Sequence, residues 1–268
     1  MKKSAALRRH FGKISQLVRL GFVFITASLA ASVTAAETLR LAVASNFIRP
    51  IQAIAEDYQA LTGHKLLVSY GSSGKLYAQI RHQAPFDIFL SADQDKPQKL
   101  IENQLAIADS YVIYARGQLA LWSTSPIRLD QLSERLLQAK HLAIANPKLA
   151  PYGLAAQQIL QKLSLWQTLQ TRLVMGENIG QTYQFLHSGN VDMGFIALSQ
   201  ARMTPRTKQD PVFILALPEE DYEAIKQAGV ILSHSTHPKL AKHFMNYLLS
   251  PEVQQRIAQF GYLTMRKN

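Results

Sequence analysis

Four short stretches of this sequence share one chemistry: "ASNF" at 44–47, "GSSGK" at 71–75, "NPKLAPYG" at 146–153 and "GENIGQ" at 176–181. Each brings small, hydroxyl or amide residues to a point where an apolar run ends and a helical pattern begins, and none contains Arg. The first N–H groups of a helix have no intrahelical partner and carry the positive end of the helix dipole. Four such termini brought together would hold a doubly charged oxyanion with neutral donors alone, each bond strengthened by the ligand's charge. Taken singly, each stretch reads as an ordinary cap or turn, the commonest use of Ser and Asn at such junctions. Their repetition at strand ends is what points to a site.

Other chemistries fit less well. Gly74 and Lys75 echo the end of a phosphate-binding P-loop, but Ser69 stands where that motif needs Gly and Leu76 where it needs Ser or Thr. Neither Ser45 nor Ser73 lies in the G-x-S-x-G elbow of a serine hydrolase. The chain has no Cys, which excludes disulfides, thiolate metal sites and a lipid on an N-terminal Cys. His234 and His237 have a spacing usable by a metal, yet no third His or carboxylate stands beside them in "SHSTHP", so they read as a surface loop. Lys75, in a first helical turn, is expected to point to solvent. Asp87 and Asp192 sit in apolar strands and read as buried acids satisfied by backbone groups or by hydrogen bonds between lobes. Trp122 and Trp166 read as packing residues. The loops show no Arg for a ligand carboxylate to set beside an acid for its amine, as an amino-acid receptor would need, and no Tyr-Tyr pair suggests a ferric-ion receptor.

The elements that must position these loops alternate. "TLRLAVAS" reads as a strand, and residues 47–61 place Ile51, Ile54, Ala55 and Tyr58 on one helical face. "HKLLVSY" is the next strand, 76–81 the next helix and "FDIFLSA" the next strand, with Asp93 capping another helix. A second series follows: "GQLALWS", "HLAIANP", a helix over 153–163, "TRLVMGENI", a helix over 180–187 and "VDMGFIAL". The chain closes with "AGVILSH", a helix over 238–249 and another after Pro251. Such alternation predicts parallel sheets covered by helices, with ligands at the carboxyl ends of the strands. With no floppy tether in the sequence, two lobes joined by strands are expected, with the cleft between them.

The chain has 268 residues, of which 1–36 read as a targeting segment. A basic n-region runs from Lys2 to Arg19, "LGFVFITASLAA" is a short apolar core, and "SVTAA" offers small residues for cleavage. "RRHFGK" also resembles a twin-arginine signal. Setting 1–36 aside removes six basic residues and no acids, leaving 23 Lys and Arg against 18 acids, about +5. That balance is too mild to argue for nucleic acid, and no basic cluster with interleaved aromatics lies downstream. Export without a lipid anchor points to a periplasm.

The run from "VASNFIRPIQ" through "GSSGKL" and "APFDIFLSADQ", with the later "NPKLAPYG" and "ENIGQ", resembles the periplasmic molybdate-binding proteins, receptors of ABC transporters. The resemblance covers essentially all of residues 37–268. It implies an α/β, two-lobed type II periplasmic binding protein fold, each lobe a mixed sheet flanked by helices. Lobe 1 is expected over 37–117 and 226–268, and lobe 2 over 118–225. The family's first-loop hydroxyl matches Ser45, followed by Asn46, and its second-loop Ser matches Ser73. Backbone N–H groups are expected from Tyr152 and Ile179. Some members place a ligand-contacting Tyr where this chain has Ala197; another subgroup uses a third-loop Tyr, which Tyr152 matches. The resemblance thus implies no catalysis and no cofactor, with molybdate or tungstate as ligand bound by Ser45, Asn46, Ser73, Tyr152 and Ile179, and molybdenum present only as that oxyanion, held through Ser45, Ser73, Tyr152 and Ile179. Sulfate is the alternative ligand, separated by cavity size. An inner-membrane ABC-type molybdate permease is the expected partner, and the protein a monomer that binds no nucleic acid. Porphobilinogen deaminase shares the lobe architecture but tethers its cofactor through Cys. The effector domain of a transcription regulator would lack the export signal.

Overall fold

The computed structural model describes residues 36–204 and 211–263. The segment read as an export signal therefore lies outside the described residues, apart from Ala36. Among the described residues the strands form two five-stranded sheets. The first contains β1 (Thr38–Ala44), β2 (Lys65–Gly71), β3 (Ile88–Leu90), β4 (Val112–Gly117) and β10 (Ile225–Ile231), in the order β2-β1-β3-β10-β4. The second contains β5 (Leu119–Ser123), β6 (Leu142–Ala145), β7 (Leu173–Gly176), β8 (Met193–Ala197) and β9 (Phe213–Ala216), in the order β7-β6-β8-β5-β9.

Alternation alone suggested parallel sheets; each sheet is in fact mixed. β1 runs parallel to β2 and β3, and β6 parallel to β7 and β8. β10 is antiparallel to β3 and β4, and β5 antiparallel to β8 and β9. These antiparallel members belong to the crossings between sheets. Only Gln118 separates β4 from β5, and the chain returns from β9 into β10. Strands, not a tether, therefore join the two lobes.

The central strands are buried on both faces, as helix-covered parallel strands must be: β3, β6 and β8 have no exposed residue. The helix Ile48–Thr62 turns Ile51, Ile54 and Tyr58 into the first core, as their spacing requires, and ends where Gly63 takes a left-handed φ of 76°. Leu240, Phe244, Met245 and Leu248, on the helix Pro238–Leu248, pack into the same core.

Three helices begin earlier than apolar periodicity indicates. They start at Ser73, Pro151 and Ile179 instead of Leu76, Gly153 and Gly180. The cause in each case is local chemistry at the N-terminus. Ser72 Oγ accepts from Lys75 N at 3.2 Å, and Asn178 Oδ1 accepts from Gln181 N at 3.0 Å. Pro151 occupies the first helical position, where its missing N–H costs nothing. The earlier starts put Ser73, Tyr152 and Ile179 inside first helical turns, facing the loops of the opposite sheet.

Candidate functional site

All five residues singled out from the sequence line one cavity: Ser45, Asn46, Ser73, Tyr152 and Ile179, together with Ala44, Gly71, Ser72, Ala92, Ala150, Pro151 and Asn178. It holds about 180 Å³ of atom-free space, mouth included. No charged side chain is among the lining residues. Ser45 and Asn46 follow β1 in a short 3-10 turn, Ser73 follows β2, Tyr152 follows β6 and Ile179 follows β7. Two come from each sheet's strand ends, with Asn46 beside Ser45.

Three buried hydroxyls define the site's chemistry. Ser45 Oγ accepts from Gly180 N at 3.2 Å, Ser73 Oγ accepts from Ala92 N at 2.9 Å, and Tyr152 Oη accepts from Gln227 Nε2 at 3.2 Å. Their residues are 6%, 1% and 1% exposed. Each hydroxyl has one proton to give, and among the described residues none of the three has an acceptor for it. Burying such a donor without a partner costs about 1–3 kcal/mol. Three unspent donors lining one cavity are arranged for an acceptor inside it. Tyr152 N and Ile179 N add two first-turn N–H groups, which precede any intrahelical carbonyl partner.

Burial pushes the Tyr152 phenol well above its ordinary pKa of 10, and Tyr262 and Tyr114 add to that rise. The group is thus a neutral O–H donor throughout the physiological range. Gly117 makes room for it: a Cβ there would lie 2.0 Å from Tyr152 Oη and 2.9 Å from Gln227 Nε2.

The two lobes touch around the cavity. Besides the Ser45–Gly180 bond, Gly74 N donates to Leu149 O at 2.9 Å, and Lys75 Nζ pairs with Glu177 Oε2 at 3.0 Å. A Cβ on Gly74 would meet Leu149 Cα and O at 3.1 Å, so that glycine permits the backbones to approach. Ala44 and Ala92 of the first lobe join Ala150, Tyr152 and Ile179 of the second in one apolar cluster.

The neighbouring serines differ in their partners: Ser72 caps its helix, while Ser73 Oγ accepts from Ala92 N across to the next strand end. Lys75 stays open to solvent, as expected, while its ammonium pairs with Glu177. Asp87 is buried and accepts from Arg40 N at 2.8 Å and Ser235 Oγ at 2.6 Å, all within the first lobe. Asp192 is exposed. Trp122 packs in the second lobe's core and Trp166 against its edge. His234 Nε2 lies 3.2 Å from Ala84 O, and His237 Nδ1 lies 3.6 Å from Glu37 Oε1.

Behind the cavity lies a polar network that the sequence reading did not find. Gln227 Oε1 accepts from Asn46 Nδ2 at 2.9 Å and lies 3.0 Å from Tyr114 Oη. Tyr262 Oη accepts from Asn46 Nδ2 at 3.0 Å and donates to Asn46 O at 2.8 Å, with Ser199 Oγ 3.3 Å away. Its one signal was a Gln inside an apolar strand, "IKQAGVI".

The family model of the bacterial extracellular solute-binding proteins matches residues 39–263. The chain is 39% identical over 224 residues to the molybdate-binding protein ModA of Rhodobacter capsulatus, covering 83% of this chain and 87% of that one. It is also 39% identical over 242 residues to the molybdate-binding protein ModA of Azotobacter vinelandii, covering 90% and 95%. The solved structure of the periplasmic molybdate-binding protein of Azotobacter vinelandii superposes with a TM-score of 0.79 at 35% identity, over 85% of this chain and all of that one. With its two mixed sheets and the cavity between them, this chain belongs to the bacterial extracellular solute-binding protein family.

Proposed function

We propose that this protein captures molybdate, and tungstate with it, in the cavity between its lobes and delivers the ion to an ABC-type importer in the inner membrane. The observation that carries the reading is the set of three buried hydroxyls, Ser45, Ser73 and Tyr152, each with an unspent proton in a cavity lined by neutral groups. The names of the similar proteins supply the ion.

In this reading Ser45 and Ser73 donate through their hydroxyls, Tyr152 through its phenol and backbone N–H, and Ile179 through its backbone N–H. Asn46 holds the first loop in place through its side chain. Neutral donors suit a dianion that must be released again: several charge-assisted hydrogen bonds hold it without a fixed cation opposite. Because the donors come from both lobes, the ligand favours the closed arrangement through contacts that the open one lacks. No bond is made or broken, and the molybdenum is cargo within its oxyanion.

The lobes proposed are 37–117 with 226–268, and 118–225. Residues 1–36 act as a cleaved signal for export to the periplasm, where the mature protein works as a monomer.

Calorimetric titration of residues 37–268 with molybdate, tungstate, sulfate and phosphate tests the reading. It expects tight binding of the first two and much weaker binding of sulfate. Equal affinity for sulfate would refute the assignment of the ion, and no binding of any of the four would refute the site.

A further inference from the structure

Gln227 has no exposed surface and lies where the pairing of β10 with β4 shifts register, between Gln227 and Ala228. Its one amide reaches three distant parts of the chain. Oε1 accepts from Asn46 Nδ2 at 2.9 Å and lies 3.0 Å from Tyr114 Oη, whose single proton it shares with Ser91 O at 3.0 Å, while Nε2 donates to Tyr152 Oη at 3.2 Å. Asn46 and Tyr114 belong with Gln227 to the lobe of the first sheet, whereas Tyr152 opens a helix of the second. Gln227 therefore spans the lobe boundary directly behind the cavity.

A tyrosine hydroxyl has one proton to donate and lone pairs to accept. As placed, Nε2 donates to the Tyr152 oxygen, which leaves the phenol's own proton for another partner. A side chain that accepted at this place would draw the proton backward, away from the cavity. A neutral amide meets both demands, donating to Tyr152 at one end and accepting from Asn46 at the other. Gln227→Glu keeps the shape and reverses the first: a carboxylate only accepts, and it sets a negative charge behind the bound ion.

We infer that Gln227 is a positioning residue for anion capture, which aims the Tyr152 hydroxyl proton into the cavity and, by holding Asn46 with the same amide, couples that alignment to closure of the lobes. The inference rests on the anion-binding reading given above.

The test is a thermodynamic cycle on the mature chain, with molybdate affinity measured by calorimetry for wild type, Tyr152→Phe, Gln227→Met and the double variant. Each single change is expected to weaken binding roughly ten- to hundredfold, the size of one hydrogen bond to a charged group. Since Gln227 acts through the phenol, the double variant should lose clearly less than the product of the two single losses. A purely structural role would lower the melting temperature without that coupling. If Gln227→Met fails to fold, Gln227→Glu carries the test, with a loss expected to exceed that of Tyr152→Phe. Multiplicative losses, or a Gln227→Glu protein binding like wild type, would overturn the inference alone. A wild-type protein that binds neither molybdate, tungstate nor sulfate would remove it together with the anion-binding reading.

Discussion

Ser45 Oγ and Gly180 N meet across the cleft at 3.2 Å, and a Cβ on Gly180 would stand 3.2 Å from Ser45 Cβ. The pair fixes how closely the first loop of one lobe approaches the helix start of the other. It also uses an acceptor position of Ser45 and leaves the hydroxyl proton free for another partner. Ser45→Ala should therefore lose a donor to the anion, on the order of 1.5–3 kcal/mol, or roughly ten- to hundredfold in affinity. Calorimetry with molybdate, paired with a thermal melt of the free protein, checks it; unchanged affinity contradicts it.

The adjacent serines offer a sharper contrast. Ser72→Ala removes a helix cap and should cost about 0.5–2 kcal/mol of stability, a fall of a few degrees in melting temperature for a chain of this size. Its affinity should stay near that of wild type. Ser73→Ala should instead weaken binding roughly ten- to hundredfold. Exchanged phenotypes would reverse the roles assigned to the two.

Gly117→Ala tests the phenol without touching it. A Cβ placed 2.0 Å from Tyr152 Oη cannot coexist with the present ring position. Overpacking of this kind costs roughly 1–3 kcal/mol of stability. Displacement of the ring should also reduce molybdate affinity at least as much as Tyr152→Phe does. Wild-type binding by Gly117→Ala would mean that the phenol is not a ligand.

Lys75 is expected to matter little. Its side chain and that of Glu177 are 52% and 40% exposed, and pairs this open to water contribute about 0–1 kcal/mol. Lys75→Met should thus change molybdate affinity by less than about fivefold. A hundredfold loss in titration would identify Lys75 as a direct anion partner instead.

How far the sequence reveals this site depends on the range of the interaction. The choice of Ser45, Ser73, Tyr152 and Ile179 within the four loops comes from the family resemblance, whereas the loops themselves are legible because small, hydroxyl and amide residues at a strand-to-helix junction are a local pattern, contained within a few residues. The division of labour between Ser72 and Ser73 is not, since either could cap and only the position of Ala92 N decides. Gln227 and Gly117 are least legible. Gln227 lies 181 residues from Asn46 and 75 from Tyr152, so its role exists only after both sheets have formed. The antiparallel members of each sheet escape for the same reason: periodicity reports burial along a strand, not the direction of its neighbour.

Alkaline titration probes the buried network. Burial raises the phenols of Tyr114, Tyr152 and Tyr262 above the ordinary value, and burial with the neighbouring Tyr247 pushes Tyr58 up to about 12. Below about pH 10 these groups are protonated in both folded and unfolded chains and contribute no slope. Above it the unfolded chain ionises first, so their stabilisation is lost as pH rises toward the folded values. Thermal melts should be insensitive to these groups from pH 7 to 9 and fall steeply beyond about pH 10. A melting temperature constant to pH 11 would contradict the neutral, buried state of these tyrosines.

The most direct measurement is a crystal structure of the mature chain with molybdate. The account predicts one ion in the cavity between Ser45 and Tyr152, its oxygens about 2.7–3.1 Å from Ser45 Oγ, Ser73 Oγ and Tyr152 Oη and from the backbone nitrogens of Tyr152 and Ile179. An ion bound instead in the wider recess beside Arg49, Tyr70 and Tyr183, or held by Lys75, with the three hydroxyl protons still unspent, would contradict it.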